Sequence, residues 1–259
     1  MSKHLILFFA TLVLCSCSTD KLDKKGFQVS EIVEDDAGEK IVGLAIDSLQ
    51  LATQPRNVLS TFHPEHRLTP IYKVNYNKRN GHFWGYNNFY SSWGRKLREG
   101  NNWNYNFMPG FSAVYGYNMV NVSHFNNRTK TEKKLFDRPV LIRTLYYPAA
   151  TKDTLNFEPV SRNYYIVSVY DEDTNHDGFI NVNDLRRLYL FNLEGEKNQP
   201  LIPKSYNVTN SEYDPANDFM YIFARKDQNN NGQLEQEEPT EIFWIDLKNP
   251  NKTGRQYHE

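Results

Sequence analysis

The chain has 259 residues and a formal net charge of −1, and 14% of its residues are aromatic, including 17 Tyr. This near-neutral balance excludes the strongly basic face that nucleic acid partners favour, so no nucleic acid partner is expected. The aromatic content favours an all-β domain over a helical one.

The N-terminus has the pattern of an export signal. A short basic start precedes the apolar run Leu5–Leu14, which is too short to span a bilayer, since a spanning helix needs roughly 20 apolar residues. The sequence Leu-Cys-Ser-Cys that ends at Cys17 resembles the lipobox of bacterial lipoproteins. The resemblance implies that residues 1–16 form a signal peptide and that Cys17 is lipidated, which anchors the chain to a membrane. An ordinary secretory signal is the alternative.

The same resemblance implies where the protein resides. Ser18, rather than Asp, follows the cysteine, and in the lipoprotein sorting rule this implies transit to the outer membrane of a bacterial cell envelope. Whether the chain faces the periplasm or the cell surface stays open. Both cysteines of the chain, Cys15 and Cys17, lie in this segment, so the remaining domain has no disulfide.

Residues 17–40 are polar, charged and poor in periodic apolar residues, which predicts a flexible tether. From Ile41 onward, short runs of alternating or β-branched residues recur between turn signals, and we expect a β-rich domain over residues 41–259. An internal repeat stands out in its C-terminal part, with units at about 160–195 and 214–250 and an offset of 54 residues from Asp173 to Asp227. Each unit reads as a strand, an acidic loop with glycine, and a second strand.

Repeats of this length are typical of β-propeller blades. The segment Asp214–Phe223, followed by Ile242–Leu247, resembles a blade of a TolB-like or WD40-like propeller. The resemblance implies an all-β, propeller-like fold, and the length fits three to four blades. A closed ring, an open array of blades and a β-sandwich are the alternatives.

The acidic loops resemble EF-hand calcium loops, in which oxygen ligands at positions 1, 3, 5, 7, 9 and 12 surround one ion and a glycine at position 6 allows a sharp turn. Position 7 contributes its backbone carbonyl. In the first loop the predicted ligands are Asp173, Asn175, Asp177, Phe179, Asn181 and Asp184. In the second loop they are Asp227, Asn229, Asn231, Gln233, Glu235 and Glu238. The alternative is a polar turn held by its own Asx-type hydrogen bonds, without metal.

Aromatic and amide residues crowd the region between the first strands and the repeat. Trp84, Trp93 and Trp103 suit the faces of sugar rings, which suggests a glycan-binding platform, although such residues also fill the edges of β cores. The sequence contains no nucleophile elbow, phosphate loop, dinucleotide fingerprint or zinc triad. We therefore expect a calcium-binding, non-enzymatic lipoprotein that contacts envelope protein or glycan. A carbohydrate-binding or glycan-processing lipoprotein is the alternative.

Overall fold

The computed structural model describes residues 26–34, 40–45, 52–76, 83–84, 87–90 and 108–258, and every regular element among them is a β-strand. The prediction of an all-β fold is confirmed. In this described part, no helix is long and apolar enough to cross a membrane. The strands are β1 Phe27–Gln28, β2 Ser30–Glu34, β3 Lys40–Ala45, β4 Thr53–Pro55, β5 Leu59–Ser60, β6 His66–Lys73, β7 Asn75–Tyr76, β8 Phe83–Trp84, β9 Asn87–Tyr90, β10 Phe111–Asn126, β11 Thr131–Lys134, β12 Leu141–Pro148, β13 Asp153–Leu155, β14 Glu158–Val160, β15 Tyr164–Tyr170, β16 Phe179–Ile180, β17 Arg187–Asn192, β18 Lys197–Pro200, β19 Tyr206–Asp214, β20 Phe219–Lys226, β21 Thr240–Asp246 and β22 Thr253–Tyr257.

The largest sheet is antiparallel and has ten strands, with the main order β18-β17-β15-β12-β10-β6-β4. Strand β10 is 16 residues long, and its register with β12 shifts between Tyr115 and Met119. Before this irregularity β10 pairs with β12 and β9, and after it β10 pairs mainly with β6 and β11. One long strand therefore joins the two halves of the sheet.

A second sheet of four strands has the order β19-β20-β21-β22, in which each strand pairs with its neighbour in the chain. Its central strands alternate in burial. In β20 the buried residues are Met220, Ile222 and Ala224, and the residues between them are partly exposed. Because side chains of a strand point to opposite faces in turn, this alternation buries one face of the sheet.

The buried face of the four-stranded sheet packs on the ten-stranded sheet. Ile222 and Phe243 share a hydrophobic cluster with Ile166 of β15 and Leu190 of β17. The neighbouring residue Val167 belongs to a different cluster, on the opposite face of the large sheet. Strand β15 therefore lies between two cores, which explains why all of its residues are buried. Complete burial of each such aliphatic side chain contributes about 1.5–3 kcal/mol.

A buried arginine links the two sheets. Arg162, just before β15, is 2% exposed and forms a bidentate ion pair with Asp218, at 2.9 and 2.7 Å. Its Nε–H donates to the carbonyl of Pro109, and the second N–H of Nη1 donates to the carbonyl of Leu247. Desolvation is the largest influence on the pKa of Arg162 and lowers it, but Asp218 and nearby tyrosines more than offset it and the net pKa is raised. Each nitrogen of the guanidinium and each oxygen of the carboxylate therefore has a hydrogen-bond partner, which compensates the cost of burying the pair.

The sheet-forming region begins upstream of residue 41. Residues 26–34, within the segment predicted as a tether, contain β1 and β2, and the predicted boundary at residue 40 falls at the start of β3. Strand β1 pairs with β16, with Phe27 opposite Ile180, and the N–H of Val29 donates to the carbonyl of Gly178 at 2.8 Å. The chain is thus fixed to the first predicted calcium loop before the large sheet begins.

Candidate metal-binding loops

The two predicted loops occupy equivalent places in two hairpins. Residues 173–184 lie between β15 and β17, and residues 227–238 lie between β20 and β21. Both hairpins are antiparallel, with Val169 opposite Arg187 in the first and Arg225 opposite Thr240 in the second. The sequence repeat therefore corresponds to a repeat of strand, loop and strand, as predicted.

The first loop gathers its predicted side chains into one cluster. Asp173 accepts the backbone N–H groups of Asp177 and Gly178, at 3.1 and 2.9 Å. The side-chain amides of Asn175 and Asn181 donate to Asp177 Oδ2, at 3.2 and 3.3 Å. Positions 1, 3, 5 and 9 are thereby joined, as a site with alternate side chains turned inward requires.

Asp184, at position 12, closes the first loop. It is fully buried, and its carboxylate accepts the N–H groups of Thr174 at 2.7 Å and Asn181 at 2.8 Å. Burial raises the pKa of Asp184 to about 7, against the opposing effect of these hydrogen bonds, and the nearby Asp173 raises it further. Burial also raises the pKa of Asp173. Among the described residues, no Lys or Arg pairs with Asp184.

The second loop repeats the bonds from the backbone to positions 1 and 12, but its side-chain amides donate to position 9 rather than to position 5. Asp227 accepts the N–H groups of Asn231 and Gly232, both at 3.1 Å. The amides of Asn229 and Asn231 donate to the carboxylate of Glu235, at 2.9 and 2.6 Å. Glu238 closes the loop, because it accepts the N–H of Glu235 and that of the residue after Asp227. All five predicted side chains of the second loop therefore lie together.

The predicted carbonyl ligands occupy matching positions. The N–H of Phe179 donates to Asp177 Oδ1, and the N–H of Gln233 donates to Asn231 Oδ1, both at 2.9 Å. These bonds fix the backbone at position 7 of each loop relative to the side chain at position 5.

Each loop also needs residues in the left-handed region of φ. His176 and Asn230, at position 4, have φ of 57° and 56°, and the glycines at position 6, Gly178 and Gly232, have φ of 84° and 70°. Glycine adopts this region without steric cost, and Asn enters it more readily than most residues. The glycines are thus required by the turn itself.

The donor set suits a hard cation. Every predicted side-chain ligand is a carboxylate or an amide, and calcium takes six to eight such oxygens in flexible geometry. A carboxylate or amide oxygen that accepts one N–H keeps a second lone pair for an ion. In the described part of the chain, no three His, Cys, Asp or Glu side chains form a metal-binding group by themselves. Amide oxygens such as those of Asn175 and Asn181 would therefore have to complete the coordination.

The two loops contact each other through Thr174 and Gly232. Thr174 Oγ1 lies 2.6 Å from the carbonyl of Gly232 and donates to it, and it also accepts the N–H of Leu185. A Cβ added to Gly232 would lie 1.9 Å from the carbonyl oxygen of Thr174. Sequence reasoning did not predict this contact, because Thr174 stands at a loop position that carries no ligand. The one feature of the sequence that relates to this contact is that both loops occupy the same position within the internal repeat.

The calls for lipidation and glycan binding fall almost entirely on residues that the structure does not describe. Cys17, Trp93 and Trp103 are not among the residues that the structure describes, and for Trp84 only its place in β8 is described. Comparison with protein-family models and with curated proteins finds no match for the chain.

Proposed function

We propose that the chain is a lipid-anchored envelope protein in which calcium binds both loops and stabilises an all-β scaffold for contact with protein or glycan. The observation that carries this proposal is the repetition of one set of hydrogen bonds, from backbone N–H groups to the side chains at positions 1, 3, 5 and 12, in two loops that contact each other. We propose a binding role rather than catalysis because the sequence contains no nucleophile elbow, phosphate loop, dinucleotide fingerprint or zinc triad.

The role of calcium in this proposal is to neutralise buried acidic groups. Asp184 is removed from water without a basic partner among the described residues, and Asp173 lies near enough to repel it. A divalent cation at the centre of the loop would offset that repulsion. With about three carboxylates in each loop, we expect a dissociation constant of roughly 0.1–1 mM, which is the range of extracellular modules.

Thermal unfolding with calcium and with chelator tests the proposal. At a free calcium concentration of about ten times the dissociation constant, each site adds about 1.4 kcal/mol, which corresponds to a rise of about 3–6 °C in melting temperature. The double variant Asp173→Ala/Asp177→Ala should lose most of the calcium-dependent rise in melting temperature, and Asp227→Ala should lose part of it. Asp214→Ala is the matched control, since Asp214 caps a turn outside both loops. It should melt lower by the same amount in calcium and in chelator.

No rise in melting temperature at millimolar calcium would refute the calcium role and leave two polar turns. Lipidation at Cys17 is tested separately, by mass spectrometry of the protein from membranes. A Cys17→Ala variant should lose both the acyl mass and the membrane fraction.

We also infer a propeller-like arrangement of the scaffold. The set β12, β15, β17 and β18 forms four adjacent antiparallel strands, as do β19–β22, and the two sets share a hydrophobic core. The strands β4, β6, β11 and the end of β10 supply a third set. A crystal structure would test this, because blades are related by a repeated rotation about one axis, whereas a β-sandwich has no such axis.

A further inference from the structure

A cavity of about 400 Å³ opens beside the two loops. Arginines line this cavity, whereas the loops are acidic. Val182 of the first loop and Leu234 of the second loop line it, and each is 45% exposed. The apolar side chains of Leu141 and Tyr170 form part of its wall. The volume lies in the range of sites for small molecules, which are mostly apolar with a few fixed polar groups.

Two arginines line this cavity, Arg143 from β12 and Arg186 just before β17. Burial lowers the pKa of Arg186, and the charge of Arg143 lowers it further. Within the described residues, neither arginine forms an ion pair with a carboxylate. Two like charges therefore line one cavity with no acidic partner in the part of the chain that the structure describes, and a bound anion would relieve their repulsion.

The cavity also offers a neutral donor. Asn207 is 4% exposed, and its Oδ1 accepts the N–H of Arg186 at 3.3 Å. Its Nδ2 forms no hydrogen bond with a described residue, so this amide can donate to a ligand. Arg186 is oriented by a hydrogen bond from its Nε to the carbonyl of Val208. No Asp or Glu is among the described residues that line the cavity.

We propose that this cavity binds a small organic anion. The carboxylate or phosphate group of this anion pairs with Arg143 and Arg186, and the apolar part of the anion contacts Tyr170 and Leu141. The site is distinct from the calcium loops, because its ligand is an anion and its charged groups are arginines. Its rim nevertheless comes from both loops, through Val182 and Leu234.

Binding of simple aromatic anions to the full chain tests the proposal. The probes are benzoate, phenyl phosphate and inorganic phosphate, with benzamide as a neutral analogue of benzoate, and binding is followed by calorimetry and ligand-observed NMR. We expect benzoate or phenyl phosphate to bind at least tenfold more tightly than benzamide. Arg143→Gln should weaken that binding about tenfold or more, and its fold should persist because Arg143 is exposed.

Two further variants sharpen the result. Arg186→Gln should weaken binding at least as much, with its fold checked by thermal unfolding. Arg128→Gln, at an exposed turn, removes the same charge away from the cavity and should leave binding unchanged. The tighter of benzoate and phenyl phosphate identifies the anionic group as carboxylate or phosphate.

Three results would overturn the proposal. The first is no binding of any probe up to about 10 mM, well above a millimolar dissociation constant. The second is equal weakening by Arg128→Gln and Arg143→Gln, which would mean attraction to the surface charge in general. The third is equal binding of benzoate and benzamide, or of inorganic phosphate and phenyl phosphate, since one half of the proposed recognition would then be absent.

Discussion

Substitution of Gly232 by Ala should separate the two loops. Gly232 has φ of +70°, and a Cβ at this position would lie 1.9 Å from the carbonyl oxygen of Thr174 and 2.3 Å from its carbonyl carbon. Both are backbone atoms, so no side-chain rotation relieves the overlap. The loops must move apart by about 1 Å to bring this distance to the 3.0 Å limit of Cβ contacts, and further to reach an ordinary van der Waals contact.

The expected loss of stability has two parts. An L-residue with a Cβ in the left-handed region costs roughly 1–2 kcal/mol. Separation of the loops breaks the hydrogen bond from Thr174 to the Gly232 carbonyl, worth about 1 kcal/mol. The total of about 3 kcal/mol corresponds to a fall of roughly 6–12 °C in melting temperature for a domain of this size.

The assay is thermal or urea unfolding of Gly232→Ala beside Asn230→Ala. Asn230 also has positive φ, at 56°, but it is exposed, so its replacement by Ala removes the preference of Asn for this region and creates no overlap. We expect Asn230→Ala to lose about 1 kcal/mol. Equal losses for the two variants would refute the packing of one loop on the other.

Three other predictions follow from buried groups. Arg162→Met should lower the free energy of unfolding by about 3–5 kcal/mol in urea titrations, because Asp218 stays buried without its partner; adding Asp218→Leu should recover part of this loss, and a smaller loss for the double variant is the check. Burial lowers the pKa of His66 and His124, so the unfolded chain binds more protons below about pH 6.5. These two histidines therefore lower stability as the pH drops from 7.5 toward 5.5, whereas the raised pKa of Asp184 acts in the opposite direction. The variant His66→Gln/His124→Gln should lose less stability than the unsubstituted chain over this range in urea titrations. Gly26→Ala would place a Cβ 2.1 Å from the carbonyl oxygen of Ile180 in β16, which should weaken the pairing of β1 with β16. Amide hydrogen exchange should therefore accelerate in β1 and β16 but not in β21.

Local patterns allowed the all-β class and the loops to be predicted. Runs of aromatic and aliphatic residues along β20 and β21, such as Phe219–Phe223 and Ile242–Ile245, favour strands in the sequence. Which face is buried is not visible there, because apolar residues occupy both faces. The ligand positions of both loops are likewise local, since residues 173–184 and 227–238 close their networks within twelve positions. The side chains from Asp173 to Asp184 are clustered as the spacing implies.

Long-range contacts could not be predicted in the same way. Asp218 lies in a segment that resembles a propeller blade in sequence, but its ion pair with Arg162 joins residues that are far apart in the chain. The cavity arginines are far apart in the chain, since Arg143 lies in β12 and Arg186 lies just before β17, and no short motif unites them. The pairing of β1 with β16 involves only two residues, too few to produce a periodic signal.

The first loop is the point where three distant segments meet. Its backbone at Gly178 and Ile180 holds β1, while Thr174 bonds to Gly232 of the second loop. A residue that fixes this loop in shape therefore also fixes the start of the domain and the neighbouring hairpin. Asp184 is such a residue, since its buried carboxylate binds both ends of the loop. An ion bound at Asp184 would consequently stabilise contacts well beyond its own ligands, because loop opening would break the β1 pairing and the bond between the loops together.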